Sequence, residues 1–207
     1  MRIKSQWFRS ERARSTVEIA GASAFIAWRL AQHVLRNMRR ADFEIEPGAQ
    51  YFDFLAEWLV FLVLVADRIA YDGLGPEQRA AFIGAMANRV GEILADNRDE
   101  LLGAPDDGDD EGAERETHKS RFIDLLNLRA DDYADFDFSE RSIDYGFLRY
   151  LADRLGHVVG ERDALWVRDQ VMEIEAPDAV ALIRKGMRGL FDDTPRPAAR
   201  RLSMSGD

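Results

Sequence analysis

The stretch Phe54–Tyr71, FLAEWLVFLVLVADRIAY, limits what this chain can fold into more than any other, because only Glu57, Asp67 and Arg68 interrupt its apolar side chains. A helix that is apolar around most of its circumference has no face to offer water and must be enclosed. At 1.5 Å per residue the uninterrupted run Trp58–Ala66 covers only about 14 Å, well short of the roughly 30 Å hydrocarbon core of a bilayer. The run therefore predicts the central helix of a soluble bundle, not a membrane span.

Its neighbours supply the walls. Ser15-x-x-Glu18 is a capping box, so a helix is expected from Ser15 to about Arg40, with Ala20, Ala24, Trp28, Ala31, Leu35 and Met38 recurring at helical spacing. The central helix is expected from about Ala49 to Asp72, where Gly73 and Gly75 break it. Pro76, whose missing N–H costs nothing in a first turn, starts the next helix, to Leu102. Two long helices joined this closely form an antiparallel hairpin, Ala49 to Leu102.

Residues 103–116, GAPDDGDDEGAERE, carry seven acids and no large apolar side chain, and such a segment cannot bury enough surface to offset its ordering entropy. A mobile acidic loop is expected there. Helices then follow at about Thr117–Arg129, Ser142–Val159, Arg162–Glu175 and Asp178–Phe191, the last two separated at Pro177. No useful strand alternation occurs. The expected fold class is all-α: a single-domain helical bundle of six or seven helices around a central apolar hairpin. It occupies residues 15–191, between a basic arm at 1–14 and a disordered tail at 192–207.

Charge is segregated along the chain. Residues 1–40 carry nine Lys/Arg against two acids, residues 41–183 thirteen against thirty-three, and residues 184–207 six against three, for a net charge of −10. An acidic body repels nucleic acid, so no nucleic-acid partner is expected of it. The absence of cysteine removes disulfides, thiolate nucleophiles and Cys-ligated metals, and suits a cytoplasmic protein. No transmembrane segment is expected. Glu18 and Arg29 interrupt the only candidate for an export signal, while Arg2 to Arg14 with Trp7 and Phe8 leave room for peripheral lipid contact.

Four features offer candidate site residues. Asp67 lies on the helical lane of Val60, Val63 and Tyr71, so it is expected in apolar surroundings, where a carboxylate needs a partner or a raised pKa; it and Glu57 either bond an arginine of a neighbouring helix, such as Arg29 or Arg154, or form a polar spot that recognises a ligand. Glu57 and Arg68 return to nearly the same face but about 16 Å apart, too far to pair directly. Asp153 and His157, spaced i, i+4, share a face and form a carboxylate–imidazole candidate. The run Asp107-x-Asp109-x-Glu111-Gly112 resembles the opening of an EF-hand calcium loop, but the position of its bidentate Glu is taken by His118.

The fourth feature, Asp131-Asp132-Tyr133-Ala134-Asp135, has the form DDxxD and resembles the aspartate-rich motif of isoprenyl diphosphate and terpene synthases. That resemblance covers five residues. It implies that Asp131, Asp132 and Asp135 would hold Mg²⁺ for a substrate diphosphate, the only cofactor in view. No Walker sequence, Gly-x-Ser-x-Gly elbow or His-Glu-x-x-His helix is present. The leading expectation is a non-enzymatic helical interaction or scaffold protein, with a protein partner or a second copy of itself. A Mg²⁺-dependent enzyme acting on a diphosphate compound is the alternative.

Overall fold

The computed structural model describes residues 14–102, 111–138 and 143–191. Residues 1–13 of the basic arm, 103–110 of the acidic stretch, 139–142, and the tail 192–207 lie outside the described residues. The chain forms one all-α bundle: α1 (Thr16–Arg40), α2 (Ala49–Tyr71), α3 (Pro76–Leu102), α4 (Glu111–Tyr133), α5 (Tyr145–Gly156) and a sixth, composite helix. The composite helix runs unbroken from an α-helical turn (Val167–Gln170) through a π-helical turn (Val171–Glu175) into a longer α-helix (Ala176–Phe191). Among the described residues the only β-type pairing is an isolated bridge between Phe138 and Ile143.

The helix predicted to be central is central. α2 packs against α1, α3, α4, α5 and the Ala176–Phe191 arm of the composite helix. Phe54, Leu55, Trp58, Leu59, Val60, Phe61, Leu62, Val63 and Val65 have no solvent exposure. Full burial of each large apolar side chain contributes about 1.5–3 kcal/mol, so this one helix organises most of the core. The capping box of α1 forms: the Glu18 N–H donates to Ser15 Oγ at 3.2 Å and the Ser15 N–H to Glu18 Oε2 at 2.7 Å. Among the described residues no helix is long and apolar enough to cross a membrane.

Several boundaries differ from expectation, three of them for a local reason. α4 starts at Glu111, inside the segment expected to be a loop. Alanine, glutamate and arginine are strong helix formers, so the local sequence supports helix from this point. α4 also continues through Asp131-Asp132 to Tyr133, whose buried ring anchors its last turn. Pro177 does not separate two helices. The Ala176 N–H bonds back five residues to Val171 O, and this wider π turn takes up the change in register just ahead of a residue with no N–H to donate.

Candidate functional site

Glu57, on α2, is 7% exposed, and its carboxylate is the focus of a polar centre built from three helices. Arg129 of α4 donates from Nη2 to Glu57 Oε1 at 2.7 Å and from Nε to both oxygens at 3.2 Å. Arg154 of α5 brings its Nε to 3.7 Å from Oε1. That nitrogen is buried and makes no hydrogen bond to a described residue. Planar guanidinium suits such sharing, since its donors fan out in a fixed fork that matches a carboxylate. The hydrogen bond to Glu57 raises the Arg129 pKa further above its ordinary value.

Aromatic rings enclose this centre. Tyr133, one turn after Arg129, is buried against Phe147 at 4.6 Å between centroids, Tyr150 at 4.8 Å and Phe61 at 6.4 Å. Burial, with the Glu57 charge second, drives its hydroxyl pKa well above the ordinary tyrosine value. At the rim the Tyr150 hydroxyl donates to Asp132 Oδ2. Burial and then that bond push the Tyr150 pKa up to about 12.

The other sequence candidates separate from this centre. Asp67, expected to meet Arg29 or Arg154, is instead forked by Arg79 of α3: Nε reaches Oδ1 at 2.7 Å and Nη2 bonds Oδ2. The same guanidinium lies 5.0 Å over the Tyr71 ring. Arg68 donates to the carbonyl of Tyr133 at 3.2 Å and so ties α2 to the end of α4. Asp153 pairs with Arg168 and with Arg149 at 3.5 Å and makes no described contact with His157. The His157 side chain is exposed, and its N–H closes α5 onto Arg154 O. The sequence carries the triplet Ala-Asp-Arg at Ala66-Asp67-Arg68 and at Ala152-Asp153-Arg154, and the two behave alike: Ala66 and Ala152 are buried, and Asp67 and Asp153 each take an arginine across the following turn.

Asp131 and Asp132 sit exposed on the last turn of α4, and Asp135 is exposed just beyond it. Among the described residues no group of three or more His, Asp or Glu is placed to hold a metal ion. Asp107 and Asp109 of the EF-hand-like run lie outside the described residues.

A second feature was not legible as such in the sequence. The turn between α5 and the composite helix is clamped to the α1–α2 loop. Asp163, 5% exposed, accepts the Glu44 N–H at 2.6 Å. Arg162 bridges Asp42 at 3.0 Å and Glu44 at 2.5 Å, and Gln50 donates to Val158 O at 2.9 Å. This clamped turn carries Leu165 and Trp166, which are 81% and 66% exposed. Both had been expected inside a helix from Arg162 to Glu175; helix begins only at Val167.

The chain thus defines an all-α bundle with a buried carboxylate–guanidinium centre and a fixed apolar turn at its surface. Compared with known proteins, it matches no family model, no curated protein and no solved structure.

Proposed function

We propose that this chain is a non-enzymatic, cytoplasmic protein-interaction module that pairs with a second copy of itself through the Leu165–Trp166 turn. The observation that carries the reading is an apolar pair held out to solvent by a turn that hydrogen bonds and ion pairs hold in place. Tryptophan is enriched among the residues that dominate interface energetics, and a backbone turn already held in place loses little further entropy on binding. A second copy is favoured as the partner because the basic ends of the sequence complement its acidic middle, so each chain offers both signs of charge to the other.

Sedimentation velocity of the 23.6 kDa chain tests this. The expected result is a two-chain mass that falls towards one chain on dilution or added salt. Trp166→Ser with Leu165→Ser should leave helicity unchanged and weaken pairing about 30-fold or more, the scale of losing an interface anchor of about 2 kcal/mol. A one-chain mass for the unaltered protein at all concentrations and salt levels would overturn the proposal.

A further inference from the structure

At the buried end of the polar centre positive charge outnumbers negative. Glu57 is one carboxylate facing two guanidiniums, and Arg129 already bonds both of its oxygens. Arg154 is left with a 3.7 Å ion-pair contact and no hydrogen bond to a described residue, although its Nε is buried. A guanidinium carries five N–H donors, and a buried donor without an acceptor is an uncommon arrangement in a folded protein. The Arg154 side chain is 32% exposed, so the group is rooted in the core yet reachable from outside. Beside it the Tyr150 hydroxyl already donates to a carboxylate, that of Asp132, which is itself exposed and free to swing away.

We propose that Arg154, with the Tyr150 hydroxyl and the adjoining Arg129 charge, forms a site for a small oxyanion, a carboxylate or a phosphate, and that the Asp132 side chain is its built-in competitor. The guanidinium fork supplies the charge-assisted donors that such an anion needs, and the tyrosine fixes its orientation. Asp131 and Asp135, exposed and close in sequence to Asp132, add negative charge nearby, which disfavours a polyanion. The aspartate-rich stretch at the end of α4 then acts as a gate for anions, not as a ligand set for cations.

The test is a titration of the full chain with acetate and, separately, with phosphate, against chloride at matched ionic strength. It is followed in a proton–nitrogen correlation spectrum by the Nε–H resonance of Arg154 in the unaltered chain and, in every variant, by the Nε–H resonance of Arg129, which bonds the same carboxylate. The expected result is a saturable shift with acetate or phosphate, the more effective of the two identifying the class, and none with chloride. Asp132→Ala should tighten binding about threefold or more, and Arg154→Gln should weaken it about tenfold or more, the range of one charge-assisted hydrogen bond. Arg154→Lys keeps the charge and serves as a control for folding. No saturable shift overturns the proposal. So does binding that is unchanged in a folded Arg154→Gln variant or is not tightened by Asp132→Ala. Chain mass is not a readout here, so failure of this site and failure of self-pairing remain distinguishable.

Discussion

Glu57 and Asp67 lie on the same helix ten residues apart, and each is met by the fork of an arginine, yet they sit in opposite physical situations. Glu57 and Arg129 have side chains 8% and 9% exposed, with a second guanidinium alongside. Asp67 and Arg79 are 19% and 31% exposed at the hairpin end, where Arg79 also rests on the exposed Tyr71 ring. Removing one member of a buried pair strands the other charge in a poorly solvated place, whereas near the surface water takes over most of the lost interaction. Similar geometry therefore implies very different sensitivity to mutation.

The largest expected effect comes from Glu57→Ala, which leaves both Arg129 and Arg154 uncompensated. Loss of stability of about 3–5 kcal/mol is expected in urea unfolding, the cost typical of a broken buried pair. A loss below about 1 kcal/mol would mean that water reaches the centre. Replacing the pair by apolar residues of similar volume, Glu57→Leu with Arg129→Met, should recover at least half of that loss, because no buried charge pair then remains to be desolvated. Recovery of nothing would show that the guanidinium of Arg129 is needed for packing in its own right.

Asp67→Asn should cost about 1 kcal/mol or less, since Arg79 keeps its place over Tyr71 and is free to turn to water. The cost should shrink further in high salt, while that of Glu57→Ala should not. Parallel unfolding curves at two salt concentrations measure both.

The smallest effect concerns pH. The Tyr150 hydroxyl ionises at about 12 in the folded chain, above the ordinary tyrosine value near 10. Between those values the unfolded chain has lost this proton and the folded chain keeps it, so Tyr150's stabilising share is complete below about pH 10 and is lost as pH rises towards 12. Asp132→Asn, which removes the charge that holds the proton, should bring the ionisation back towards the ordinary value in a tyrosinate absorbance titration. No movement would mean that burial alone sets it.

Much of this architecture could be read from residues. The enclosure of Phe54–Ala66 followed from its missing polar face, while the last turn to Tyr71 reaches the surface; the start of α1 followed from Ser15 and Glu18, and the hairpin from Gly73 and Pro76. The need of Glu57 and Asp67 for arginines was also legible, but their partners were not fully so. Arg154 was named and does lie against Glu57. Arg79 was missed although the hairpin folds the first turn of α3 back beside the last turn of α2. Arg129 was missed although it interrupts the apolar lane of Phe122, Leu126 and Tyr133 just as Glu57 interrupts that of α2; two charges set into facing apolar lanes are a pair in waiting. The Leu165–Trp166 turn was hidden because Asp163 has no helical signature of its own. Its carboxylate is drawn to the Glu44 N–H, a contact 119 residues away in sequence that no local pattern encodes.

The claim on which the contrast rests is that burial, not geometry, separates the two pairs, and double-mutant cycles on Glu57/Arg129 and Asp67/Arg79 measure it most directly. The account predicts a coupling of about 2–3 kcal/mol or more for the first pair and below about 1 kcal/mol for the second. Equal couplings, or a larger one at Asp67/Arg79, would contradict it.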